Sequence, residues 1–143
     1  MSRPTFSFLS FFENPRLRCS ASLVGLAFLA ACASAVPTTA VRLERPASTT
    51  AAAEITIQRE VGFRLSTGYT RTLPAMSRWR HVGRVAQGEV YRPIDLAFAL
   101  EGRHVHEAYL VLEGRTLRGF YLPGEAAYSP LDPVIPLPIG EIK

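Results

Sequence analysis

Residues 54–143 predict a mainly β fold: a small antiparallel barrel or sandwich, with an SH3-like barrel among the forms that fit. Three observations point there. Apolar residues recur at alternate positions from Ile55 to Leu65, the period of strands with one buried face. The tetrapeptide Leu-Glu-Gly-Arg occurs twice, at Leu100–Arg103 and Leu112–Arg115, with strand-like segments on either side. Pro130, Pro133, Pro136 and Pro138 then crowd the C-terminal segment, which excludes helix and forces an extended path.

Each element follows in chain order. Ile55, Ile57, Val61, Phe63 and Leu65 supply the apolar face of one or two strands, with Thr56, Gln58, Glu60, Arg64 and Ser66 between them. Thr67-Gly68 makes a turn and Pro74 breaks the next run. A short strand is expected around Trp79 to Val85. Gln87-Gly88 turns the chain into Val90-Tyr91, which ends at Pro93. Asp95 to Leu100, His104 to Leu112 and Thr116 to Leu122 read as a three-stranded meander at 95–122. Its turns fall at Gly102 and Gly114, since glycine reaches positive φ at little cost. Two copies are too few for a solenoid. Glu125 to Tyr128 fits a single helical turn. Val134, Ile135, Leu137 and Ile139 lie among the prolines and are expected to pack along the domain. A domain of this size buries a core without disulfides or metal staples.

The first 31 residues have a different character. Ala21 to Ala31 is an uncharged apolar run of 11 residues, preceded by Arg3, Arg16 and Arg18 against one acid, Glu13. A bilayer span needs about 20 apolar residues, so the run has the length of a signal-peptide core instead. Basic residues before it hold the N-terminus on the cytoplasmic side. The run ends Leu29-Ala30-Ala31-Cys32. That ending resembles the lipobox of bacterial lipoprotein precursors, over residues 16–33 only. The resemblance implies that Cys32 receives a diacylglyceryl group on its thiol, that cleavage falls between Ala31 and Cys32, and that the new amine is acylated. Durable anchoring takes two or three acyl chains, at about 0.8 kcal/mol per buried methylene. Ala33, where an Asp tends to retain such proteins in the inner membrane, points to the outer membrane facing the periplasm. The leader is long for this family and carries a second apolar patch, Phe6 to Phe12. On that resemblance Cys19 would lie in the removed part and Cys32 would carry the lipid, leaving no disulfide and no thiol nucleophile.

Residues 32–53 follow as lipidated Cys and flexible tether. They are rich in Ala, Thr, Ser and Pro and lack aromatics, and Pro37 and Pro46 break any helix.

The folded part offers little catalytic chemistry. It has no Gly-x-Ser-x-Gly elbow and no phosphate loop, and its carboxylates stand singly, so no enzyme is expected. No cofactor is expected either. His106-Glu107-Ala108-Tyr109-Leu110 misses the zinc-protease pattern by its last residue and lies in a strand-like stretch. His104 and His106 share a strand face, which makes them the candidate ligand or metal pair of an alternative reading, with His81, Asp95 or Glu107 as a third ligand. Between Glu60 and Glu89 the chain has Arg64, Arg71, Arg78, Arg80 and Arg84 and no acid. Arg71, Arg78, Trp79, Arg80 and Arg84 form the candidate patch for an anionic surface. Behind a lipid anchor its partner would be anionic lipid or an acidic envelope protein, and not nucleic acid. The leading expectation is a lipid-anchored envelope protein with a structural, assembly or binding role.

Overall fold

The computed structural model describes residues 34–47 and 53–142. Among them are twelve strands and no helix. The first five are β1 (Thr39–Ala40), β2 (Glu54–Ile57), β3 (Val61–Arg64), β4 (Thr70–Leu73) and β5 (Arg78–Val85). Then come β6 (Gly88–Pro93), β7 (Ala99–Glu101), β8 (Val105–Glu107) and β9 (Tyr109–Glu113). β10 (Thr116–Leu122), β11 (Ala127–Pro136) and β12 (Ile139–Ile142) complete the chain. Eight strands form one sheet in the order β1-β11-β10-β9-β6-β5-β2-β12. β3 with β4 and β7 with β8 form two separate hairpins. All the pairings are antiparallel. The domain is therefore all-β; its sheets do not close into a barrel and are compatible with a small sandwich.

Alternation decides which side chains enter the core. Ile55 and Ile57 of β2, Trp79 of β5 and Leu110 and Leu112 of β9 point to one face of the large sheet, where the β3–β4 and β7–β8 hairpins add Phe63, Leu73 and Leu100. Val111 of β9, Val90 of β6, Tyr121 of β10 and Tyr128 of β11 point to the other face and form a second cluster with Val85. The middle of the sheet is thus apolar on both sides. A bulge between His81 and Gly83 reverses the alternation within β5. It explains how Trp79 and Val85, six residues apart, reach opposite clusters. A matching bulge between Leu117 and Gly119 lets Leu117 and Phe120 enter the same one.

The run His104 to Leu112 breaks at Ala108, whose N–H donates to the Phe98 carbonyl at 3.0 Å. β8 therefore pairs with β7, while β9 lies between β6 and β10 in the large sheet. No helical turn forms at 125–128. Ala126 takes φ 49 in a turn, and Ala127 opens β11. The proline-dense segment makes strands with ladder partners. Gly119 faces Pro130 and Leu117 faces Ile135, so residues 131–134 form a bulge opposite Arg118 alone, where the missing N–H of Pro133 is tolerated, while Pro130 and Pro136 stand opposite Gly119 and Thr116.

The segment expected to be a solvated tether is, over residues 34–47, part of the fold. Thr39 and Ala40 pair with Tyr128 and Ala127. The Val41 N–H donates to the Ala126 carbonyl at 3.0 Å, and Glu44 exchanges both backbone bonds with Arg84 at 2.8 Å. Val41 and Leu43 pack on the second cluster. This strap spans from the β11 edge to β5.

Candidate functional site

The candidate basic patch draws Arg78, Trp79, Arg80 and Arg84 from β5 and Arg71 from β4 of the separate β3–β4 hairpin. Trp79 is fully buried, and its indole N–H donates to Ser77 Oγ at 3.1 Å beneath an edge-on contact with Phe98. It is removed from the surface patch. Alternation puts it opposite Arg78 and Arg80, and its large apolar body belongs in the core. The four arginines are each matched by an acid from elsewhere in the chain. Arg78 makes a two-pronged bond to Asp95 at 2.7 and 2.8 Å, and Arg80 reaches Glu54 at 2.8 Å. Arg71 reaches Glu101 at 3.2 Å and Arg84 reaches Glu89 at 3.4 Å. The bond from Arg78 holds the Asp95 carboxyl below its ordinary range and raises the guanidinium in return. The stretch without acids in the sequence is thus compensated by adjoining strands and loops, and the arginines do not share one patch. Arg78 and Arg80 lie together on β5, Arg84 lies beyond the bulge that reverses the alternation, and Arg71 lies on the separate β3–β4 hairpin.

His104 and His106 are brought together as their spacing predicts, ring centroids 6.3 Å apart and edge to face. The expected third ligands go elsewhere. His81 Nε2 lies 2.7 Å from Glu89, Asp95 holds Arg78, and Glu107 sits beside Tyr109. His106 instead meets Glu125, Nδ1 to Oε1 at 2.6 Å, a partner 19 positions away that spacing did not suggest. Among the described residues no group of three His, Cys, Asp or Glu is placed to hold a metal ion. Ala31 and Cys32 lie outside the described residues.

Two features were missed from sequence. One is the strap, whose only signal is the alternation Val41, Leu43 within a polar segment. The other is an open groove of about 650 Å³ between the β6–β7 connection and β8. Ile94, Leu96 and Phe98 give it an apolar lining, joined by Val105, and Arg92, Glu107 and Tyr109 supply its polar groups. Burial, and next the Glu107 carboxylate, raise the pKa of the Tyr109 hydroxyl, while Arg92 pulls it down. An apolar recess with one cation, one anion and one phenol suits binding of an amphipathic partner.

The groove, the histidine pair and the start of the strap share one element, the β7–β8 hairpin. An ideal Cβ on Gly102 would lie 2.9 Å from Val36 Cγ2 and 3.0 Å from the Ser34 carbonyl oxygen. The strap therefore begins in contact with the hairpin turn. Compared with known proteins, the chain matches no family model, no curated protein and no solved structure.

Proposed function

We propose that this protein is a lipid-anchored component of the bacterial cell envelope, acylated at Cys32 and facing the periplasm from the outer membrane. Its folded domain serves a binding or assembly role, with the groove beside β8 as the surface available to a partner. The observation that carries the reading is Leu29-Ala30-Ala31-Cys32 at the end of an 11-residue apolar run behind three arginines. The position of the fold supports it, since Ser34 and Val36, two and four positions after the proposed anchor, already lie against Gly102 of the domain.

The test is expression of the full precursor in a bacterial host with radiolabelled palmitate. Wild type should take up label, lose its leader and fractionate with membranes. Cys32→Ser should take up none and keep its leader. Processing and membrane fractionation unchanged in Cys32→Ser would overturn the reading.

A further inference from the structure

We infer that the β7–β8 hairpin lies against the headgroups of the membrane that carries the anchor, with Arg103, His104 and Val105 facing the lipid. The inference rests on the acylation of Cys32 proposed above. Its geometry comes from the strap. Ser34 and Val36 are seated on Gly102, and the strap beyond them is held by β1–β11 pairing and by the Glu44–Arg84 bridge. Two residues of fully extended chain span at most about 7 Å. Cys32 is therefore never further than that from Ser34, and a free tether of twenty residues does not separate lipid from fold. Ser34 itself lies against the hairpin turn, so the turn is tethered close to the surface whose anionic headgroups act over a screening length of about 8 Å at physiological salt.

The residues at this end have the chemistry of an interface. Val105 is 72% exposed, an unusual position for a β-branched apolar side chain in a strand. Arg103 and His104 are exposed beside it. The β3–β4 turn is docked onto the same hairpin, for the Thr67 hydroxyl donates to the Glu101 carbonyl at 3.0 Å and Arg71 binds the Glu101 carboxylate. That turn adds Tyr69, 44% exposed, and the exposed Arg64. The Glu101 charge is already matched by Arg71, while Glu125 is hydrogen-bonded to His106. Glu107, two residues past Val105, is the exposed acid that Arg103, Arg64 and the lipid-facing turn must outweigh. A basic, aromatic and apolar rim is what headgroups attract.

The test uses the full chain with its native anchor, reconstituted into vesicles of phosphatidylethanolamine and phosphatidylglycerol in equal parts. A fluorophore is placed on Val105→Cys or on Glu113→Cys, at the far end of β9 from β8. Nitroxide on the lipid headgroups is the quencher. The labelled protein should float with the vesicles, and the label at 105 should lose most of its emission while the label at 113 keeps it. Arg103→Glu should weaken quenching at 105 without preventing flotation. Flotation with equal, weak quenching at both positions would overturn the inference and leave the anchor reading standing. Absence of both acyl label and flotation would overturn both.

Discussion

Leu100–Arg103 and Leu112–Arg115 carry the same four residues in two settings. Each leucine is sealed in the larger core, and each glutamate–glycine pair leaves a strand. Beyond that they diverge. Glu113 pairs with Thr116, so Gly114-Arg115 is a two-residue hairpin loop, and Gly114 sits at φ 58 with nothing within 4 Å of its missing Cβ. Positive φ at the first loop residue alone is the type II′ pattern, which asks for glycine on local grounds. Gly102 begins a three-residue loop between Glu101 and Val105 and is absent from the positive-φ positions. Its glycine is required because the strap lies on it. The two arginines differ as well: Arg115 donates to the Ile139 carbonyl, whereas Arg103 is exposed. One tetrapeptide therefore meets a backbone need in one place and a tertiary need in the other.

The largest effect should leave the two copies alike. Leu100→Ala and Leu112→Ala each remove a fully buried side chain and should cost about 2–5 kcal/mol in denaturant melts of the chain from residue 34 onward. A mild Leu100→Ala beside a severe Leu112→Ala would mean that the β7–β8 hairpin is not part of the cooperative core.

The glycines should separate them. Gly102→Ala drives a methyl into Val36 and Ser34 and should cost about 1–3 kcal/mol, with faster amide exchange at Val41 and Glu44 as the strap loosens. Gly114→Ala should cost about 1–2 kcal/mol through backbone strain and leave strap exchange unchanged. Asn tolerates such turn positions better than Ala, so Gly114→Asn should be milder than Gly114→Ala. Gly102→Asn should bring no such relief, because any Cβ collides there. Equal tolerance of Asn at both positions would break the distinction.

The arginines come next. Arg115→Ala removes a hydrogen bond to the start of β12 and should cost about 1 kcal/mol. Arg103→Ala should stay within about 0.5 kcal/mol in solution. The glutamates should show the smallest effects. Glu101→Ala loses the Arg71 pair and Glu113→Ala the more exposed Arg118 pair, each worth no more than about 1 kcal/mol. Glu101→Ala should be the larger, because Arg71 is the better buried partner and lies over the Phe98 ring at 5.6 Å.

Much of the fold was legible because strand signals are local. Ile55 and Ile57, Trp79 between two arginines, and Leu110 and Leu112 declare a buried face through neighbours two residues apart. The same parity would have put Trp79 inside had it been applied to the basic patch. The candidate site was less legible. Asp95 and Glu54 reach Arg78 and Arg80 only because the chain returns beside β5, and Glu125 reaches His106 across a turn. The groove joins residues from Arg92 to Tyr109 that share no periodicity. The strap hides in a composition that reads as spacer, since only three half-buried aliphatic side chains, Val36, Val41 and Leu43, carry its apolar contribution.

By itself the sequence determined that the chain is built of strands and which alternating side chains, such as Ile55, Ile57, Leu110 and Leu112, seek a core, since these depend on backbone geometry and on residues one or two positions away. The break of the expected 95–122 meander at Ala108 and the strand in place of a helical turn at Ala127 were decided by pairing. It also supplied the Leu29–Cys32 motif, a chemical signature that needs no fold to be read. Only the tertiary structure decided which glycine serves a turn and which serves a contact, which acid neutralises which arginine, and that residues 34–47 belong to the domain. Those depend on distances between segments far apart in the chain. Such distances arise once the sheet has chosen its strand order, and no local pattern encodes them.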